Sequence, residues 1–172
     1  MSETIALRLE ARPERRVWGG NRISGRLGLR SEEPVGELWL AYDQNPVKSG
    51  EYDGRKLAQV LLRLGPTFLG SAPYARYGLE LPLLVKFLDT AEWLSVQVHP
   101  SDAYAHSVEA ATGFHGKTEA WYILEGEGEL IYGLARPATR AELETAFRSG
   151  QLDSLLHRQR VVPGQVIYVP AG

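Results

Sequence analysis

Ser95, Gln97 and His99 stand at alternate positions, and twenty-two residues further on Lys117, Glu119 and Trp121 do the same. In extended chain, alternate side chains share a face. The first trio then lies opposite the apolar Leu94, Val96 and Val98, and the second places a cation and a carboxylate side by side. An amide oxygen, an imidazole nitrogen and a carboxylate oxygen are hard or borderline donors. If both stretches line one barrel, Gln97, His99 and Glu119 converge as ligands suited to a zinc ion held without thiolates. The chain has no cysteine, so any metal must be held by such groups. The same alternation also describes a half-exposed sheet with a solvated polar face, His99 being a strand-end residue before Pro100. Periodicity leaves both readings open. Lys86 lies amid Leu83, Leu84, Val85, Phe87 and Leu88, where both strand faces read as buried, and a buried ammonium needs an anion. An anionic ligand answers that need, and snorkelling at a strand end is the other explanation. His106, His115 and His157 fall in helical or loop contexts and read as surface residues.

The elements that must position these groups are short strands and turns. Ile5–Leu9 alternates, Val17-Trp18-Gly19-Gly20 ends in a glycine turn, and Glu37–Tyr42 is strand-like. Leu57, Val60, Leu61 and Leu64 fall on one helix face, which Gly65-Pro66 ends. The runs Leu83–Leu88 and Trp93–Val98, separated by Asp89-Thr90-Ala91-Glu92, predict a hairpin. Pro100-Ser101-Asp102 starts a helix over Ala103–Ala111, and a loop through Gly116 leads into a strand over Lys117–Leu124. After the turn Glu125–Gly128 comes a strand over Glu129–Tyr132. Thr139 and Glu142 form a capping box for a helix that Gly150 closes, Leu152–Leu156 makes a second short helix, and Gln165–Val169 returns to strand.

Composition bounds the class. With 19 Lys+Arg against 21 Asp+Glu the net charge is −2, which argues against a nucleic-acid or anionic-membrane coat. An apolar share of 44% and a charged share of 23% are those of a folded domain, and 18 Gly and 10 Pro indicate a turn-rich, mainly β fold. The length predicts one domain spanning residues 1–172. Neither a signal peptide nor a membrane span is visible, and the missing cysteines suit a cytoplasmic protein.

The runs Leu81-Pro82-Leu83-Leu84-Val85-Lys86-Phe87-Leu88, Leu94–Asp102 and Gly116-Lys117-Thr118-Glu119-Ala120-Trp121-Tyr122 closely resemble type I phosphomannose isomerase, a zinc-dependent cupin family. Trp18-Gly19-Gly20, Gly36-Glu37-Leu38-Trp39 and the helical insertion at Thr139–Leu156 resemble it too. Cupin spacing agrees: six residues separate Glu119 from Gly126, Gln97-Val98-His99 occupies the place of a His-x-His pair, and Gly164, Pro170 and Gly172 match the start of a second motif. The resemblance implies a cupin jelly-roll barrel with a short helical insertion, and one zinc held by Gln97, His99 and Glu119. A fourth ligand is expected just past Gly172, and an arginine from a C-terminal lobe, so the domain reads as truncated at that end. The implied reaction interconverts mannose 6-phosphate and fructose 6-phosphate through an enediol. Ser95, Lys86 and Lys117 would bind the sugar phosphate, and Lys117 and Lys86 are the candidates for catalytic roles. The proton-transfer base stays unassigned, since a lysine would need a pKa well below its usual value of roughly 10.4. A non-catalytic sugar-phosphate-binding or regulatory cupin is the alternative. An iron-dependent cupin dioxygenase would want two histidines and a carboxylate, which Gln97 argues against.

Overall fold

The structure is a computed structural model that describes residues 5–28 and 34–172 of the chain. The chain divides into two compact units, Met1–Leu94 and Ser95–Gly172. Among the described residues, no helix is long and apolar enough to cross a membrane.

The first unit runs β1 (Arg12–Gly20), α1 (Arg22–Leu27), β2 (Val35–Ala41), α2 (Leu57–Leu64), α3 (Pro66–Leu69), α4 (Ser71–Tyr77) and β3 (Val85–Leu88). The strands form one antiparallel sheet in the order β1-β2-β3, with Trp39 opposite Lys86 and Glu37 opposite Leu88. Gly19 lies in β1, not in a turn, because it meets Gly36 back to back: a methyl group on Gly19 would stand 2.6 Å from the Gly36 nitrogen. Leu9 contributes only an isolated bridge to Val47, so the alternation of Ile5–Leu9 does not become a strand.

The expected hairpin does not form. Of its two apolar runs, the first pairs with β2, and Trp93–Val98 belongs to no strand. The intervening turn is captured by β1: Ala91 and Glu92 donate their amides to the Trp18 carbonyl at 2.9 and 3.2 Å. Asp89 Oδ2 accepts the Arg22 and Ile23 amides at 2.6 and 3.1 Å, satisfying two orphan donors at the start of α1. Nor are both faces of β3 buried, since Val85 and Phe87 are exposed.

The helical pattern holds. Leu57, Val60 and Leu61 of α2 are buried with Val47, and Leu7, Leu9, Tyr52, Leu64, Phe68, Leu69 and Leu81 pack around them. Gln59 Oε1 accepts the Lys56 amide at 3.1 Å, and Gly65, at φ +75°, ends the helix. Leu61 is wholly buried. Leu61→Ala is expected to lower stability by about 2–5 kcal/mol through lost transfer energy plus a cavity, read as a shift in the urea midpoint at constant slope.

The second unit runs α5 (Asp102–Ala105), β4 (Glu119–Tyr122), β5 (Gly128–Leu134), α6 (Arg140–Arg148), β6 (Leu156–Val161) and β7 (Val166–Val169). β4 pairs antiparallel with β7, and β5 with β6. The Tyr132 hydroxyl donates to the Tyr168 carbonyl at 2.6 Å, tying the two ladders together. The capping box closes as expected: the Thr139 amide donates to Glu142 Oε2 at 2.8 Å and Thr139 Oγ1 accepts the Glu142 amide at 3.3 Å. The Thr139 amide and hydroxyl, both donating to the carboxylate, and Arg136 hold the Glu142 carboxyl below its usual range.

Three elements differ from expectation. The helix predicted over Ala103–Ala111 ends at Ala105, after which Ser107 Oγ donates to the Ala103 carbonyl at 2.6 Å and a 3₁₀ turn follows at Ala110–Thr112. The predicted strand over Lys117–Leu124 contracts to the four residues of β4. The second short helix is a 3₁₀ turn at Leu152–Leu155, and Leu156 opens β6, a strand that the sequence pattern does not predict. Its residues are mostly polar, and its arginines pair across the ladder, Arg158 with Glu129 and Arg160 with Glu127.

Candidate metal centre

In the second unit the two stretches that carry the candidate ligands are fastened by backbone bonds. The Lys117 amide donates to the Pro100 carbonyl at 3.0 Å, and the Gly116 amide donates to Asp102 Oδ1 at 2.8 Å. Gly116 has no room for a side chain: a methyl group there would stand 2.5 Å from the Asp102 nitrogen. On the other side, Glu119 is in register with Val169 of β7, and the Gly172 amide donates to the His99 carbonyl at 2.9 Å.

This framework places His99 Nε2 3.3 Å from Glu119 Oε1, with the two side chains only 9% and 19% exposed. The separation exceeds the roughly 2.7–2.9 Å of a strong charge-assisted hydrogen bond. It matches the distance of about 3.3 Å between two donors on a tetrahedral ion with bonds of about 2.0–2.1 Å. Burial, reinforced by the Lys117 charge and opposed by Glu119, pushes the His99 pKa below its ordinary value and favours the neutral imidazole. That is the form that ligates a metal. His99 Nδ1 is buried without a hydrogen-bond partner among the described residues, so the environment of the ring is satisfied only on its Nε2 side. The second oxygen of Glu119 faces Lys117, whose Nζ lies 3.2 Å away and whose side chain is 46% exposed.

Gln97 and Ser95 lie on the exposed extended stretch before His99, where Gln97 Nε2 donates to Ser95 Oγ at 3.3 Å. This bond uses the amide nitrogen and leaves the carbonyl oxygen, the atom a metal would take. The structure thus brings His99, Glu119 and Lys117 together directly, and Gln97 with Ser95.

Lys86 has its own setting in the first unit. Its Nζ donates to Glu37 Oε1 at 2.9 Å, while Glu37 Oε2 accepts Trp39 Nε1 at 2.7 Å and an Arg16 guanidinium nitrogen at 3.2 Å. The anion that the half-buried ammonium needs is therefore supplied by the chain. Burial pushes the Glu37 carboxyl up, but the hydrogen bonds from Lys86 and Trp39 and the charges of Lys86 and Arg16 outweigh it and hold the group below its usual value. Sequence reasoning missed Glu37 as this partner. The signal was the spacing of Glu37 and Trp39 on one face of a strand.

A family model for the catalytic domain of type I phosphomannose isomerase matches residues 6–148. The chain belongs to that family. A mannose-6-phosphate isomerase of Streptococcus mutans is 36% identical over 172 residues, 95% of this chain and 51% of that protein. The crystal structure of the Bacillus subtilis mannose 6-phosphate isomerase superposes with a TM-score of 0.82 at 34% identity, over 96% of this chain and 52% of that one. A zinc-bound mannose 6-phosphate isomerase shares the fold at a TM-score of 0.66 and 17% identity, over 96% and 64%. The mainly β cupin architecture expected from the sequence is that of these structures. The chain spans about half the length of the curated relatives named or closely matched.

Two outcomes test this geometry. Gly116→Ala drives a methyl into the Asp102 backbone, and is expected to cost about 1–3 kcal/mol and to weaken metal retention, measured by denaturation and metal analysis. Glu37→Gln takes the anion from Lys86 and leaves Arg16 with Glu14 alone, and is expected to cost about 2–3 kcal/mol at pH 7. Because the folded Glu37 pKa is depressed, its contribution is complete above the unfolded carboxylate value of about 4.3 and is lost as pH falls through the folded value. Wild-type and variant stabilities should therefore converge in acid.

Proposed function

We propose that this chain carries the metal-binding part of an aldose–ketose isomerase that interconverts mannose 6-phosphate and fructose 6-phosphate. The observation that supports it most is the His99 Nε2 to Glu119 Oε1 pair at 3.3 Å, nearly enclosed and with the imidazole held neutral. Membership of the family and the zinc-bound relative support the choice of metal, and the donor set of amide, imidazole and carboxylate suits it. Gln97, His99 and Glu119 are the proposed ligands of one catalytic zinc per chain. A zinc ion held there supplies a Lewis acid beside the substrate carbonyl and hydroxyl, with no redox side chemistry.

The residues of the chain supply the rest. Lys117, its ammonium beside Glu119 and its side chain half-exposed, donates a hydrogen bond to a substrate oxygen and is the candidate to carry the proton between C1 and C2 as the substrate passes through its enediol. Ser95 offers a hydroxyl donor for the dianionic phosphate; for Lys86, whose ammonium is held by Glu37 in the first unit, the family resemblance alone supports a phosphate-binding role. The same reading makes the protein a cytoplasmic enzyme of carbohydrate metabolism, with a small sugar phosphate and neither nucleic acid nor membrane as its partner.

Metal analysis beside a coupled fructose 6-phosphate isomerisation assay tests the proposal. Gln97→Ala, His99→Ala and Glu119→Ala are each expected to lose the equivalent of catalytic zinc. Lys117→Ala should keep it and lose turnover by about 100-fold or more. Retention of that zinc by His99→Ala would overturn the ligand assignment, and zinc binding without isomerisation in the complete enzyme would leave a sugar-phosphate-binding cupin instead.

A further inference from the structure

A second group of ligating side chains lies between the two halves of the candidate site in sequence. One atom each from Asp102, His106 and His115 lie within 4.8 Å of one another. His106 Nε2 and His115 Nδ1 are 2.8 Å apart, and the rings meet edge to face at 82°. At that distance one proton bridges the two nitrogens, so one ring presents a lone pair toward the other. The two facing nitrogens cannot both carry a proton in this arrangement. Asp102 is held in place by the Gly116 amide, a bond from outside the cluster that orients the carboxylate. Asp102 and His115 are half-buried and His106 is exposed, so the cluster is partly desolvated yet open on one side.

We propose that Asp102, His106 and His115 form a second divalent transition-metal site, separate from the one assigned to His99 and Glu119. The metal replaces the bridging proton. Two imidazole nitrogens and one carboxylate oxygen are a zinc-type donor set, with water completing the tetrahedron. The nitrogens need to separate from 2.8 Å to about 3.3 Å, the spacing set by bonds of about 2.0–2.1 Å, a movement that the exposed His106 side chain can make. A metal there would tie α5 to the loop that precedes Gly116, and so clamp the connection between His99 and Lys117. Asp102 and His106 are one helical turn apart, while His115 arrives from beyond the 3₁₀ turn at Ala110–Thr112.

The test uses the purified chain, stripped of metal and titrated with Zn²⁺ and Co²⁺. In a His99→Ala/Glu119→Gln background one equivalent of Zn²⁺ should still bind and raise the thermal midpoint, and Co²⁺ should give the visible absorption of a tetrahedral ion. Adding His106→Ala/His115→Ala should remove the cobalt spectrum and weaken zinc binding by about 100-fold or more, at least the upper end of what outer-sphere changes cost. Asp102→Asn keeps an oxygen for the Gly116 amide and should weaken binding about 10-fold, which covers the case in which the larger variant does not fold. Survival of the spectrum and the zinc equivalent without both histidines overturns the proposal. So does zinc binding in the first background only at millimolar concentration.

Discussion

The Gly116 and Lys117 amides decide where Glu119 stands relative to His99. Donating to Asp102 Oδ1 and to the Pro100 carbonyl, they fasten the chain just before β4 to the chain just after His99. Residues 95–101 lie in no strand, so no ladder sets their register with β4. Three hydrogen bonds do so instead, from the Gly116 and Lys117 amides and from the Gly172 amide to the His99 carbonyl, with one glycine leaving the room. The requirement for glycine is steric, since the space a side chain at position 116 would need is filled by the backbone of Ser101 and Asp102. Backbone atoms, unlike the end of a flexible side chain, cannot move aside cheaply.

Much of this was legible in the sequence, and the reasons differ by element. The α2 helix was read correctly because Leu57, Val60 and Leu61 are the residues that become buried, so periodicity and packing report the same fact. The α6 cap was read because a capping box is local chemistry. Strand β6 was not, because its stability comes from pairing with β5 and from charges across the ladder, and periodicity within one segment does not contain that. The false hairpin has the same origin. Its apolar runs are genuine, but the partner of the first is β2, fifty residues away in sequence.

The site divides likewise. Alternation placed Gln97 with Ser95, and Lys117 with Glu119, and the structure keeps both pairs in contact. The approach of His99 to Glu119 spans twenty residues and rested on the family resemblance. The partner of Lys86 is legible in part: a lysine among apolar residues demands an anion, and Glu37 stands in a strand-like run. The sequence leaves an anionic ligand and snorkelling both open, because no rule of spacing links positions 37 and 86, which only the β2–β3 register brings together.

The two lysine–glutamate pairs show how similar contacts serve different ends. Glu37 is 9% exposed at its side chain and engages three donors, so removing Lys86 would leave one oxygen of a nearly buried charge without its partner. Such a pair is expensive to break and suits a scaffold. Glu119 has one cation at 3.2 Å, and that cation is 46% exposed. An ion pair so wet contributes little to stability, and Lys117 can exchange Glu119 for water or a substrate oxygen at small cost. His99 completes the contrast, because an imidazole kept neutral leaves the Glu119 charge uncancelled on that side. The carboxylate that is cheapest to detach from its lysine is therefore the one facing a neutral nitrogen donor, which is the electrostatic condition a divalent cation requires of its ligands.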